Sequence, residues 1–343
     1  MTRLPDPRLR PPDGGTLIDT YGRVARDLRV SVTDRCSFRC TYCMPAEGLP
    51  WLPSAELLTD DELVRVVRVF VSLGVTQVRL TGGEPLLRPS IIDLVRALAE
   101  ITPRPTLAMT TNGAALARLA APLAAAGLDR VNVSLDTVDA EQFLALTRRN
   151  RLGDVVAGLA AASEAGLAPV KVNAVAMRGV NDQAVCELLA WCLERGYELR
   201  FIEQMPLDAQ HGWDRSVMVT AAEIRERLAE RFTLTDLPDS ARGSAPAQRY
   251  LVDGGPATVG IIASVSAPFC GDCDRTRLTA DGQVRNCLFS QRETDLRGPL
   301  RAGASDADLA DLIREEMWRK AHGHGIGRPG FHQPERPMSA IGG

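Results

Sequence analysis

Between residues 28 and 205, six strand-like runs alternate with amphipathic segments, and this alternation leaves few folds open. The runs are LRVSVT, QVRLTG, TLAMTTN, RVNVSLD, VKVNAVAM and LRFIEQM. Between the first two lies TDDELVRVVRVFVSLG, with Thr59 and Glu62 at capping-box spacing and Gly74 as a stop signal. PSIIDLVRALAEI and the Ala-rich AALARLAAPLAAAG follow. Six βα units in succession require parallel strands joined by helices, in a sheet either doubly wound or curved into part of a barrel. Parallel strands covered on both faces read as unbroken apolar runs. These instead carry Thr81, Thr110, Asn112, Asn132, Ser134, Lys171, Asn173, Arg200 and Glu203, which we read as lying toward their carboxyl ends. Alternation along a strand turns many of them to one face. An α/β fold is therefore expected, a partial (βα)6 barrel with a polar pocket at its carboxyl mouth.

After about residue 210 the pattern changes. A helical segment, TAAEIRERLAERF, precedes PDSARGSAPAQ, then short strands with a hairpin turning at Asp281-Gly282, and a last helix in DADLADLIREEMWRK. The expected division is a flexible arm over 1–20, the barrel over 21–210, a smaller appended region of short antiparallel strands and helices over 211–320, and a mobile Gly-rich tail over 321–343. Only two of the 40 basic residues are lysines. Lys320 sits in a polar helix end and reads as a solvated charge; Lys171 sits in an apolar strand. His322 and His324 read as solvated linker residues. A net charge of -3 argues against general nucleic-acid binding, and no apolar run reaches membrane-spanning length. The opening MTRLPDPRLRPPDGG lacks an apolar signal-peptide core, so a cytoplasmic location is expected.

Six of the 8 cysteines form two triplets. The first is CSFRCTYC (Cys36, Cys40, Cys43), on the loop after the first strand. The second is FCGDCDRTRLTADGQVRNC (Cys270, Cys273, Cys287). A two-residue turn at 281 and 282 would pair 280 with 283 and 276 with 287, returning Cys287 to the neighbourhood of Cys273. Structural zinc takes four ligands, and neither triplet has a histidine close in sequence to supply the fourth. Three thiolates on an iron–sulfur cubane leave one iron open for chemistry. On spacing alone, zinc with a distant fourth ligand competes. Cys186 and Cys192, six apart in a helical pattern, read as small buried hydrophobes. Arg275 and Arg277 share one strand face, as either a solvated face or a clamp for polyphosphate.

CSFRCTYC, with an aromatic before its last cysteine, resembles the radical S-adenosylmethionine (SAM) superfamily, and TGGEPLL resembles that superfamily's GGEP segment, which binds the SAM amino group. The two triplets, with CDRTRL between ligands of the second, resemble the GTP 3′,8-cyclase family. RDLRVSVTDRC, VNVSLD, VKVNAV, RFIEQM and the terminal IGG carry that resemblance over nearly the whole chain. The resemblance implies a radical SAM partial barrel and two [4Fe-4S] clusters, held by Cys36, Cys40, Cys43 and by Cys270, Cys273, Cys287. It implies SAM contacts from Tyr42, Gly83, Ser134 and Met205. It implies GTP contacts from Arg29, Arg79, Thr110, Lys171, Arg200, Arg275 and Arg277, and a Gly342-Gly343 end reaching the active site. The implied reaction converts GTP to 3′,8-cyclo-7,8-dihydro-GTP in molybdenum-cofactor biosynthesis. Its implied partners are an electron donor such as flavodoxin or ferredoxin and the next enzyme, cyclic pyranopterin monophosphate synthase; a homodimer is left open. Gln77 departs from the pattern, where a basic residue is expected, and would lower the charge around the phosphates by one. The competing readings are a radical SAM peptide-modifying enzyme with an auxiliary cluster, or a metal-binding module without turnover.

Overall fold

The computed structural model describes residue 11 and residues 15–238 and 242–342. Strands β1 (Asp27–Ser31), β2 (Gln77–Thr81), β3 (Thr106–Thr111), β4 (Arg130–Ser134), β5 (Lys171–Ala176) and β6 (Glu198–Glu203) stand where the alternation puts them and pair in parallel. Helices α1 (Asp60–Ser72), α2 (Ile91–Ala99), α3 (Leu116–Ala125), α4 (Ala140–Thr147), α5 (Leu152–Glu164) and α6 (Val185–Glu194) connect them. Thr59 and Glu62 form the reciprocal cap of α1: the Glu62 N–H donates to Thr59 Oγ1 at 3.2 Å, and the Thr59 N–H to the Glu62 carboxylate at 2.8 Å. One face of the sheet packs beneath the helices through residues such as Leu28, Val30, Val78, Val131, Val172 and Phe201, all fully buried. Each such side chain contributes roughly 1.5–3 kcal/mol. The opposite face lines a cavity.

The carboxyl-terminal part does not stand apart as an appended region. After α7 (Ala221–Ala229) come β7 (Leu234–Asp236), β8 (Gln248–Val252) and β9 (Thr258–Ile262), and β9 joins β6 in parallel. Then β10 (Arg275–Leu278) joins β1 in parallel at the other edge, followed by β11 (Gln283–Arg285) and β12 (Thr294–Asp295). The result is one 12-stranded sheet in the order β12-β11-β10-β1-β2-β3-β4-β5-β6-β9-β8-β7. Its central eight strands are parallel, and the antiparallel strands are its flanks. Helices α8 (Arg297–Arg301), α9 (Asp306–Trp318) and α10 (Met338–Ile341) complete the chain.

Three further expectations change. The β10–β11 hairpin pairs Arg277 with Arg285 and Leu278 with Val284, one residue off the expected register. Its loop holds three residues, Ala280, Asp281 and Gly282, closed by the Gly282 N–H to Thr279 O at 3.0 Å with Gly282 at φ +82°. Three-residue hairpin loops commonly end on such a left-handed glycine. The tail is packed: Ile341 is buried with Leu207 and Phe289, against Ile326, Phe331 and Met338. Of the amino-terminal arm, residues 15–20 are tied down by the buried Leu17, whose N–H donates to Leu73 O at 2.9 Å, and by a 2.6 Å Asp19–Arg23 ion pair. Residues 1–10 and 12–14 lie outside the described residues. Among the described residues, no helix is long and apolar enough to cross a membrane.

Candidate active site

A cavity of about 730 Å³ runs along the inner face of the sheet. Tyr42, Ser134, Met205 and Met338 line it at the carboxyl-end loops, and Cys270, Cys273 and Cys287 line it near the start of β10. Because β1 and β10 are parallel, the triplet that follows β1 and the triplet that flanks the start of β10 belong to opposite ends of the strands. Arg29, Arg79, Thr110, Lys171, Arg200, Arg275 and Arg277 line the space between. Lys171 opens β5 and Arg200 is third in β6, so the cationic zone lies toward the strands' amino ends, not the carboxyl mouth. Glu203 does not belong to the pocket. Its carboxylate is fully buried and accepts the N–H groups of Ala221, Val265 and Ser266 at 2.7–2.8 Å, fixing the start of α7.

Gly83 is likewise absent from the lining. A Cβ on Gly82 would collide with Thr33 O, and one on Gly83 with Asp34 O and Arg35 O. The close approach these glycines permit is to the backbone that leads into the first triplet, clinched by Gly83 N–H to Thr33 O at 2.8 Å and Glu84 N–H to Arg35 O at 2.7 Å. Glu84 is buried and accepts from Leu86 N–H at 3.0 Å, Thr111 Oγ1 at 2.6 Å and Asn112 N–H at 2.6 Å. Burial nevertheless pushes its carboxyl up to about 7. TGGEP therefore ties β2, β3 and the cysteine loop together.

Among the described residues, no three His, Cys, Asp or Glu side chains converge to hold one ion. Burial, with Glu84 adding to it, pushes the Cys36 thiol to about 11. Burial likewise raises Cys40 well above the usual thiol range and takes Cys43 to about 12, although the Ser339 N–H bonds to the Cys43 sulfur. Such side chains stay protonated at neutral pH until a metal displaces the proton. At the second triplet burial also raises Cys270, but Cys273 moves the other way: Lys320 and Arg275 outweigh burial and lower it.

Lys320 is thus no solvated charge. It is 3% exposed and donates to Cys273 O at 3.0 Å, Cys273 Sγ at 3.5 Å and Arg275 O at 2.8 Å. His324 is no free linker residue either. It lines the cavity, its Nε2 lies 2.9 Å from Ser264 O, and its backbone N–H bonds to the Cys270 sulfur. His322 is exposed and stands edge-on to Tyr21, with ring centroids 5.2 Å apart.

The cationic zone is incompletely partnered. Buried atoms without hydrogen bonds include Arg29 Nε, Arg79 Nε and Nη1, and Arg200 Nε and Nη2. Burial lowers Arg79 to about 9 and Arg200 to about 10, with neighbouring arginines adding to the effect. Each orphaned donor costs roughly 1–3 kcal/mol, which an anionic ligand would recover. Arg275 donates to Ser244 O at 2.7 Å and lies over the Phe269 ring. Lys171 pairs with Glu198, and Arg277 donates to the Gly342 carbonyl. Gly342 is buried against Ser31 and Thr81; Gly343 lies outside the described residues.

Two groups escaped the sequence reading. Arg130 opens β4, lines the cavity and donates to Gln77. A guanidinium thus stands beside Gln77, and Arg130 acts electrostatically on Arg79, Arg200 and Lys171. Asp136 accepts the Tyr42 hydroxyl at 2.8 Å and the Val175 N–H at 2.8 Å, and burial raises its carboxyl to about 6. Its signal is the last residue of VNVSLD, two positions beyond Ser134 on the same strand end.

Residues 30–192 match the Radical SAM superfamily, and residues 197–326 match Molybdenum Cofactor Synthesis C. A GTP 3′,8-cyclase of Streptomyces coelicolor is 62% identical over 95% of this chain and 96% of its own. GTP 3′,8-cyclase 2 of Mycobacterium tuberculosis (strain H37Rv) is 58% identical over 99% and 95%. Among solved structures, anSMEcpe with bound AdoMet superposes with a TM-score of 0.59 at 14% identity, covering 88% of this chain and 82% of that one. SuiB of Streptococcus suis gives 0.56 at 14%, covering 92% and 77%. Those two share the fold. With relatives this similar over nearly their full length, the chain belongs to the GTP 3′,8-cyclase family of the radical SAM superfamily.

Proposed function

We propose that the protein converts GTP to 3′,8-cyclo-7,8-dihydro-GTP, joining ribose C3′ to guanine C8 after loss of the C3′ hydrogen. The observation that carries this reading is one cation-lined cavity that has Cys270, Cys273 and Cys287 at one end and reaches Tyr42, on the loop of the first triplet, at the other. Cys36, Cys40 and Cys43 would hold one [4Fe-4S] cluster, and Cys270, Cys273 and Cys287 a second. When bound, these groups and SAM supply the reducing electron, the 5′-deoxyadenosyl radical that takes the C3′ hydrogen, and an open iron for the guanine edge.

The chain itself supplies placement. Arg29, Arg79, Lys171, Arg200, Arg275 and Arg277 bind the triphosphate, with Arg130 replacing the charge absent at Gln77 and Thr110 adding a donor. Tyr42, Ser134 and Met205 contact SAM, with Asp136 fixing the Tyr42 hydroxyl. Gly83 acts through the backbone of the cysteine loop. Gly342 closes the cavity against Arg277, which excludes water from the reacting region. Holding both ends of GTP orients C8 toward C3′. We further propose an electron donor such as flavodoxin or ferredoxin, hand-over to cyclic pyranopterin monophosphate synthase, and a cytoplasmic setting.

The test is anaerobic incubation of the iron-loaded protein with dithionite, SAM and GTP, followed by mass analysis of the nucleotide. Cyclised product from GTP, and none without SAM, is expected. SAM cleavage without any change in GTP would overturn the reading.

A further inference from the structure

Lys320 is one of only two lysines in the chain, and it is buried to 3% exposure just past the end of α9. An ammonium has three N–H donors, and here each has an acceptor: Cys273 O, Cys273 Sγ and Arg275 O. The segment that follows is anchored to the same triplet. Arg23 donates to Cys270 O at 2.7 Å, His322 O at 3.0 Å and Ala321 O at 2.7 Å, and its Nε pairs with the buried Asp19. Burying a lysine chain is costly unless its charge meets a counter-charge. The salt bridges among the described residues give Lys320 no carboxylate; the charge it faces is the Cys273 sulfur.

The two triplets differ in what surrounds them. Around the first triplet the buried carboxylates are Glu84, which accepts the Asn112 N–H, and Asp136, which accepts the Tyr42 hydroxyl, and the cation is Arg39, which donates to Cys36 O at 2.7 Å. At the second, Lys320 donates to the Cys273 sulfur itself and Arg23 to Cys270 O. Gaining an electron makes a three-thiolate cluster more negative. A fixed positive charge at one ligand sulfur therefore favours the reduced form, and hydrogen bonds to the sulfur act the same way.

We propose that Lys320 is a positioning residue for the second cluster: its ammonium fixes the Cys273 thiolate and raises that cluster's reduction potential relative to the first. The proposal rests on the two-cluster reading above. The same charge lies beside Arg275, so the strand that begins the phosphate clamp is set by the residue that sets the cluster.

The experiment is a redox titration of the reconstituted holoenzyme, followed by electron paramagnetic resonance. A Cys36→Ala, Cys40→Ala, Cys43→Ala variant assigns the second cluster's signal. Lys320→Met removes charge and donors, Lys320→Gln keeps a donor without charge, and Lys320→Arg keeps the charge. With about eight irons per chain retained, Lys320→Met and Lys320→Gln should lower the reduced-to-oxidised ratio of the second cluster at least tenfold at fixed potential. That is a shift of about 59 mV for one electron. Lys320→Arg should stay near wild type, and the first cluster should not move. An unchanged midpoint in fully loaded Lys320→Met and Lys320→Gln would overturn the proposal. So would equal shifts of both clusters, or loss of half the iron in every variant including Lys320→Arg, which would mark a purely structural role. A wild-type protein with only about four irons would instead refute the two-cluster reading itself.

Discussion

Gly342→Ala is the sharpest single change. Gly342 sits at φ +88°, and a Cβ there would lie 2.5 Å from Thr81 Oγ1 and 3.1 Å from Ser31 Cβ. Both neighbours are buried on adjacent strands of the central sheet, so neither can retreat cheaply. The left-handed backbone costs a residue with Cβ roughly 1–2 kcal/mol, and the overpacking a further 1–3 kcal/mol or so. A total of about 2–5 kcal/mol shifts the docking equilibrium of the tail at least about 30-fold. Arg277, which lines the cavity, then loses its Gly342 carbonyl partner. The sheet is unaltered, so iron content and melting temperature should stay near wild type. Cyclised product, measured by quantitative mass analysis under saturating GTP and SAM, should fall at least tenfold. Removal of Gly342 and Gly343 together should behave alike. Wild-type turnover in Gly342→Ala would refute the closure argument.

Replacing Cys36, Cys40 and Cys43 by Ala should leave roughly half the iron and abolish SAM cleavage; full iron retention would refute the ligand assignment. Ala at Lys171, Arg275, Arg277 or Arg130 should weaken GTP binding roughly 10- to 100-fold, as befits a charge-assisted contact of about 1.5–3 kcal/mol. Guanosine binding, followed by anaerobic equilibrium dialysis, should be nearly unchanged in the same variants; equal loss of both ligands would mean misfolding. Gln77→Lys should restore GTP affinity to Arg130→Ala, because the two positions face each other across the cavity wall. Glu84→Ala strands three buried donors and should lower both melting temperature and iron loading, with Glu84→Gln closer to wild type.

The six βα units were legible because their signals are local: a capping box at Thr59 and Glu62, a stop at Gly74, and period-two strands. The insertion of β9 beside β6 and β10 beside β1 was not, because parallel pairing between distant segments leaves no mark on either one. The hairpin register slipped by one because Asp281-Gly282 reads equally as a two-residue turn or as the end of a three-residue loop. Lys320 was misread for a similar reason: WRK looks polar at a helix end, and only the fold brings Cys273 against it. Arg130 hid at the amino end of a strand, where exposure is the ordinary expectation. The cysteine triplets stand out by spacing, but spacing alone leaves zinc and an iron–sulfur cluster both open. An approach of the terminal glycines to the site is expected only through resemblance, and Gly343 lies outside the described residues; the tail's packing depends on Leu207 and Phe289, which are remote in sequence.

The central claim is that one cavity brings the C3′ hydrogen of GTP to a radical formed from SAM. The most direct measurement uses GTP carrying deuterium at C3′, incubated anaerobically with the reduced, fully loaded protein. The 5′-deoxyadenosine formed should contain one deuterium and appear in step with cyclised nucleotide. Unlabelled 5′-deoxyadenosine, formed at the same rate with or without GTP, would contradict the account.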